Sequence, residues 1–292
     1  MSFEQLASEA GSLSGVIDLL DAVDTLTPLV LDSPHSGEIA PADFRPAVSR
    51  TAWLHAVDRY VDQLFAAAPA LGVPLIRAVF PRIYLDVNRA LDDLDPDCLA
   101  DGWDQPLAPS AKARLGKGLV WMNTPPNAAP LYATRLQRQE VKSRIERYYY
   151  PYHNRLAALI NRSRGRHGFS LHLNCHSMQS VSHQMHEEGA GVSRPDFILS
   201  DRESTTCGSK MVGAVEEYLV DLGFRVEVNT LFKGAEIVRR HGCPDNGLHS
   251  LQIEINRALY MDEITLLKTA GFDKLKHEMT GLIGHLGRLR LP

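Results

Sequence analysis

Chemistry-bearing side chains gather at three places where an apolar run of this chain gives way to polar residues. The first is LVLDSPHSGEIAP, Leu29 to Pro41, whose apolar start ends in a turn carrying His35 and, three residues on, Glu38. The second is SLHLNCHSM, where His172, Asn174 and His176 share one face by the two-residue period of a strand, and Phe169, Leu171, Leu173 and Cys175 share the other. The third is SLQIEINR, which sets Gln252, Glu254 and Asn256 opposite Leu251, Ile253 and Ile255. A carboxylate inside a strand is costly unless an ionic partner or a chemical task accounts for it. Two histidines and one glutamate as ligands, with a further glutamate held back, form the inventory of a hydrolytic zinc site, because three protein ligands leave a fourth position for water. Zinc brings the pKa of its water to about 7 and polarises a carbonyl, and the unligated carboxylate moves the proton. Taken alone, a turn histidine is more often a cap or a hydrogen-bond donor than a ligand. The coincidence at strand ends is what favours a site.

Arginines accompany these residues. PRIYLDVNR and INRALY bring Arg82, Arg89 and Arg257 near strand ends, where guanidinium groups suit bidentate capture of carboxylates. The plainer alternative is a structural ion pair with Asp86 or Asp92. His183, His186, Glu187 and Glu188 in SHQMHEEG read as a solvated face, since H-E-x-x-H is absent. G-x-S-x-G, G-x-x-x-x-G-K-[ST] and G-x-G-x-x-G are absent as well, which disfavours serine-hydrolase, P-loop and dinucleotide-binding readings.

The elements that must position these groups alternate between strand and helix. PLVLDS (28–33), PLIRAVF, RIYLDVNR, FSLHLNC (169–175), DFILS (196–200), FRVEVN (224–229) and SLQIEIN (250–256) read as strands. In RIYLDVNR, Ile83, Leu85 and Val87 are expected inward and Tyr84, Asp86 and Asn88 outward. Helical spacing of Leu54, Val57, Val61, Leu64 and Phe65 predicts a helix from Thr51 to Gly72. A basic helix runs from Tyr132 to Arg164, with Pro151 set to kink or split it and the aromatics of RYYYPYH forming a packing stripe. Helices are also expected around 204–222 and at the C-terminus. Residues 91–131 hold six prolines and little periodicity, the mark of a lid or binding loop. Together these predict an α/β fold with a mixed, largely parallel β-sheet flanked by helices on both faces, in a single domain over 1–292 that carries the 91–131 insertion.

Composition narrows the partners. The 292 residues are 44% apolar and 23% charged, enough for a large core. A formal charge of −4, with no uncompensated basic segment, argues against a nucleic-acid or anionic-membrane surface and for a small-molecule partner. MSFEQLASEAGSLSG lacks the basic start and apolar core of a signal peptide, and no run reaches the roughly 18 apolar residues of a membrane span, so a cytoplasmic location is expected. Cys98, Cys175, Cys207 and Cys243 form no C-x-x-C pair and read as buried free thiols. Oligomeric state is not legible.

In order along the chain, LDSPHSG, DRYVDQLF, PRIYLDVNR, NCHSM, FKG and QIEINRALYMDE resemble the N-formylglutamate amidohydrolases, over about Leu29 to Glu263. That family is similar to the zinc carboxypeptidase and succinylglutamate desuccinylase group, which implies a zinc-carboxypeptidase-like (phosphorylase/hydrolase-like) mixed sheet between helices. The resemblance implies one Zn2+ or similar divalent ion per chain, held by His35, Glu38 and His176, with Asp58, Asp62 or Asp86 as the other carboxylates that could complete the set. It implies Glu254 as general base and Asn88 with Arg89 as the pair holding a substrate carboxylate, with Arg82, Arg257 and Lys233 as further cations for an acidic substrate. NTLFKGAEI departs from the family pattern in lacking a proline and tyrosine before Lys233–Gly234. The implied reaction is hydrolysis of N-formyl-L-glutamate to formate and L-glutamate, the end of a histidine-degradation route. The alternatives are a deacylase of another N-acyl amino acid, a carboxypeptidase-like peptidase, or a catalytically silent binder of acidic ligands. His172 is expected either to support a ligand or to fill the core.

Overall fold

A computed structural model describes residues 12–22 and 27–291. Its centre is a seven-stranded sheet in the order β1-β3-β2-β6-β9-β7-β8. The strands are β1 (Ile17–Leu20), β2 (Leu29–Ser33), β3 (Leu75–Ala78), β6 (Ser170–Met178), β7 (Phe197–Ser200), β8 (Val226–Val228) and β9 (Leu248–Asn256). A separate ribbon pairs β4 (Asn123–Thr124) with β5 (Ala129–Pro130). β3, β2, β6 and β9 run parallel, whereas β1 and β7 run antiparallel to β3 and β9. This is the mixed, largely parallel sheet that alternating strand and helix patterns predict. Every residue of β2, β6 and β7 is buried, as expected of strands covered on both faces.

The helices are α1 (Arg50–Leu54), α2 (Val61–Leu64), α3 (Ala111–Arg114), α4 (Arg138–Arg144), α5 (Tyr150–His167), α6 (Ser209–Asp221), α7 (Glu236–His241) and α8 (Gly271–Gly287). α5 and α7 cover one side of the sheet, and α2 and α8 cover the other, with α6 against α8.

Register divides the central sheet chemically. Asp32 pairs with Asn174, His172 with Ser250, Asn174 with Gln252 and His176 with Glu254, so one buried face is polar across β2, β6 and β9. Leu31, Leu173 and Leu251 line the other, with Cys175 beside Ile253. Buried polar groups must satisfy one another. Asp32 does this for the polar face, accepting from Tyr152 Oη of α5 at 2.8 Å and Asn174 Nδ2 at 2.7 Å, and meeting His172 Nε2 at 2.9 Å. His172 Nδ1 lies 2.7 Å from Ser250 Oγ. His172 is therefore a member of the sheet's polar network.

Three expectations about local structure fail, each for a tertiary reason. The helix expected from Thr51 to Gly72 is broken into α1, α2 and a 3₁₀ turn at Pro69–Leu71. Between α1 and α2 the Asp58 amide donates to His35 O at 2.9 Å, and Tyr60 adopts a left-handed φ of 67°. RIYLDVNR is a run of turns, and Tyr84, Asp86 and Asn88 are as buried as Ile83, Leu85 and Val87. The reason is that the 91–131 segment and α4 cover them: Asp86 N donates to Leu119 O at 2.8 Å, and Arg144 of α4 reaches Tyr84 O at 2.9 Å. That segment is itself folded, holding α3 and the β4–β5 ribbon and burying Leu94, Leu119, Val120, Trp121 and Leu131. Between α4 and α5 the helical path widens into a π turn, Ile145–Tyr149, just ahead of Pro151, which has no amide to continue the ladder. Tyr148, Tyr149 and Tyr152 are buried there, as their packing stripe predicts.

Candidate active site

The C-terminal ends of β2, β6 and β9 open into one cavity of about 300 Å³. In α/β sheets this is where ligands bind. β2 delivers His35 one residue beyond a proline, β6 delivers His176 near its end, and β9 delivers Glu254 beside it. The break between α1 and α2 delivers Asp58.

His35, Asp58 and His176 are all buried, and one ligating atom from each falls within 4.8 Å of the others. Their hydrogen bonds show which atoms face inward. His35 Nε2 lies 2.7 Å from Asp86 Oδ1, and a carboxylate only accepts, so the proton sits on Nε2. His35 Nδ1 is left as a buried lone pair without a hydrogen-bond partner, 3.5 Å from Asp58 Oδ2. His176 Nε2 lies 2.8 Å from Asn174 Oδ1, closer than the 3.2 Å to Asn88 Nδ2, which places its proton there also. His176 Nδ1 then faces the same Asp58 Oδ2 at 3.2 Å. Three lone pairs converging out of water repel one another unless a cation lies among them. The donor set therefore fits a divalent ion, with each ligand histidine anchored through its other nitrogen, as in metal sites generally.

Neighbouring charges keep the set ready. Burial pushes the Asp86 carboxyl up, but Arg82 and His35 outweigh it and hold it well below the carboxylate range. Asp58 behaves alike: burial is more than offset by His176, His35 and Arg82. Burial lowers His176 to about 4, so the ring is neutral, as a ligand must be. Glu254 is opposite in kind. Burial, then the Asp58 charge, push its carboxyl up to about 8 against the pull of Arg82, Lys112 and Arg194. Its one hydrogen bond among the described residues is from Gln252 Nε2, at 2.9 Å.

Most of the residues read from sequence meet here, but not all in the expected roles. Glu38 does not reach the metal set: its carboxylate accepts from Arg59 at 2.7 Å and Arg50 at 3.1 Å. Gly37 turns the chain away against the backbone of Val79 and Phe80, and Ile39 N bonds Val79 O at 2.9 Å, which carries Glu38 to a different face. Asp58 takes the place expected of Glu38, Asp86 supports His35, and Asp62 pairs with Arg77. Arg82 and Arg257 are expected to take substrate, yet both are engaged by carboxylates of the site itself. Arg82 forks onto Asp86 at 2.9 and 3.1 Å, and Arg257 bonds Asp58 at 2.9 Å, Ser177 Oγ at 3.1 Å and His55 O at 2.9 Å. Lys233 stands at the exposed mouth, paired with Glu203 at 2.5 Å. Asn88 lies against His176, its carbonyl oxygen taken by Ile237 N at 2.8 Å. Arg89 lines the cavity with Nε on Lys117 O at 3.0 Å, and its terminal nitrogens carry no hydrogen bond among the described residues.

Sequence reasoning missed the far wall. Lys112 and Lys117 come from the 91–131 segment, and His183, His186, Glu187 and Glu188, expected to be solvated, line the cavity too. Burial and nearby cations lower His183 to about 4 and His186 to about 2, leaving both rings neutral. Each Nδ1 accepts a backbone amide, from Met185 at 3.2 Å and His183 at 2.9 Å respectively. Their Nε2 atoms are thus donors. The usable signal was the pairing of polar residues with a proline-rich segment too long to be a simple connection.

Known proteins resemble this chain over most of its length. A family model described as N-formylglutamate amidohydrolase matches residues 27–261. Two N-formylglutamate deformylases, from Pseudomonas aeruginosa and Pseudomonas putida, are each 27% identical over 81% of this chain and 83% and 82% of their own length. An N-formylglutamate amidohydrolase from Ralstonia eutropha JMP134, whose crystal structure is known, superposes with a TM-score of 0.87 at 40% identity, covering 94% of this chain and 97% of that one. A protein of Agrobacterium tumefaciens shares the fold at a TM-score of 0.65 and 16% identity, covering 94% and 95%.

Proposed function

The chain belongs to the N-formylglutamate amidohydrolase family, and from that premise we propose that it hydrolyses N-formyl-L-glutamate to formate and L-glutamate with one Zn2+ or similar divalent ion. The observation that carries the reading is the convergence of His35 Nδ1, His176 Nδ1 and Asp58 Oδ2 beside an unligated Glu254. Those three atoms would hold a divalent cation, which when bound would supply Lewis acidity for amide hydrolysis, and beside such a charge Glu254 would favour its carboxylate form at neutral pH.

The protein's own groups do the rest. Glu254 removes a proton from the attacking water as oxygen bonds to the formyl carbon. It returns that proton to the nitrogen as the C–N bond breaks, so that glutamate leaves as an amine and formate remains. Arg82 and Arg257 fix Asp86 and Asp58 and are positioning residues. Arg89 is available for a substrate carboxylate, and the neutral His183 and His186, whose Nε2 atoms are donors, line the same cavity. A small anionic substrate suits this cation-lined cavity.

Formate release by the purified protein from N-formyl-L-glutamate tests the reading, before and after chelation and with zinc, cobalt or manganese restored. Activity lost to chelator and regained with metal is expected. A protein that binds no metal would overturn the proposal, and metal-dependent release from formylaspartate or acetylglutamate alone would overturn the substrate.

A further inference from the structure

Six cationic side chains line the cavity: Arg82, Arg89, Lys112, Lys117, Lys233 and Arg257. Five have anionic partners. Arg82 holds Asp86, Arg257 holds Asp58 and Lys233 holds Glu203, while Lys112 lies 3.9 Å from Glu187 with its ammonium over the Phe232 ring. Arg89 Nε lies 3.9 Å from Asp93 Oδ2, with its terminal nitrogens free of hydrogen bonds among the described residues, and Lys117 remains. Lys117 is 7% exposed, and its ammonium has no hydrogen bond or ion pair among the described residues. A buried ammonium without a counterion is costly. Burial, together with Lys112, Arg89 and Arg82, brings its pKa down to about 7.

The fold holds this unpaired charge in place. Lys117 N bonds Lys112 O at 2.8 Å, and Lys117 O accepts from Arg89 Nε at 3.0 Å, so the two cations form one wall. Gly116 takes a φ of +80°, and a Cβ on Gly118 would stand 2.5 Å from Asp93 O, so the backbone on both sides is tightly seated. The open end of Arg89 and the unpaired Lys117 differ in place. Arg89 follows Asn88, which touches His176, whereas Lys117 hangs from the covering segment. The α-carboxylate of an N-formyl amino acid is two bonds from the scissile nitrogen, and the side-chain carboxylate is farther out.

We propose that Lys117 is the specificity residue that takes the side-chain carboxylate of the substrate, leaving Arg89 for the α-carboxylate. The inference rests on the reading of the site as an N-formyl amino acid hydrolase and adds what selects an acidic side chain. An anion here supplies the missing counterion, and a neutral side chain leaves Lys117 buried and unpaired, which is how a site rejects an analogue.

The test compares the metal-loaded wild type with K117M and K117R on N-formyl-L-glutamate and N-formyl-L-glutamine, and measures binding of L-glutamate and L-glutamine by calorimetry. The expected result in K117M is a fall of roughly 30- to 100-fold in the preference for the acidic member of each pair, with K117R retaining most of it. At pH 8, glutamate binding should also take up a proton in the wild type, seen as a buffer-dependent heat, because the anion restores the ammonium. This arm needs no variant. A preference unchanged in K117M, or glutamate binding without proton uptake, would overturn the proposal. A wild type that releases no formate, yet prefers glutamate in a way K117M abolishes, would overturn the hydrolase reading and uphold the role of Lys117.

Discussion

Replacing Glu254 by Gln separates chemistry from electrostatics. The amide keeps the size of the side chain and an oxygen to accept from Gln252 Nε2, but removes the titrating group. In metal-free protein the carboxyl is pushed up to about 8 by burial and by Asp58, against an ordinary glutamate value of 4.5. A raised carboxyl holds its proton in the fold, so between those two values the folded state binds more protons than the unfolded state. Stability from this group is therefore fully present at low pH, falls as pH rises through the window, and levels off above about 8. Each unit costs at most about 1.4 kcal/mol, so from pH 5 to 7 the chelated wild type should lose roughly 2–3 kcal/mol relative to E254Q. Urea unfolding of both chelated proteins at intervals from pH 5 to 9 reads this directly. Loaded with metal, E254Q should bind the ion stoichiometrically and turn over about 10²- to 10⁴-fold more slowly. Parallel stability curves would refute the electrostatic argument, and near-normal turnover would remove Glu254 as the base.

Other expectations follow from single contacts. D58N should lose stoichiometric metal by elemental analysis, whereas E38Q should retain metal and activity and shift stability by less than about 1 kcal/mol, since it loosens only a partly exposed ion pair. N174A frees His176 Nε2 and should weaken metal binding about 10- to 100-fold in competition with a chelating dye, with the fold intact by circular dichroism. G37A would put a Cβ 2.3 Å from Phe80 O and should lower unfolding free energy by about 1–3 kcal/mol in urea.

The strands were legible because parallel strands buried on both faces write an unbroken apolar pattern, and the two-residue period placed His172, Asn174 and His176 together correctly. Asp58 was harder to place. It lies in a stretch whose apolar spacing is that of a helix, and the break that brings it to His35 depends on a hydrogen bond to a residue far away in sequence. Local periodicity carries no trace of that. RIYLDVNR misled in the opposite sense, because its alternation implied a solvated face that the 91–131 segment in fact covers. Lys112 and Lys117 sit in that same segment, where no period exists to say which way a side chain points. Glu38 satisfied the spacing of a ligand, and only the close approach of Gly37 to the next strand's exit rules it out.

The engagement of Arg257 with Asp58 bears on how the molecule comes to be assembled. One anchor of the metal set lies just past β9, and Ser170 of β6 pairs with Leu248 of β9 across a long stretch of chain. Contacts so distant form late, after loop-closure entropy has been overcome. During synthesis, His35, Asp58 and His176 all emerge from the ribosome before Arg257 does, and until then Arg82, 3.6 Å away, is the one guanidinium beside Asp58 among the described residues. The ion site is thus completed only once β9 and Arg257 have appeared, which ties metal loading to the arrival of that segment and leaves chains truncated before it without a settled centre.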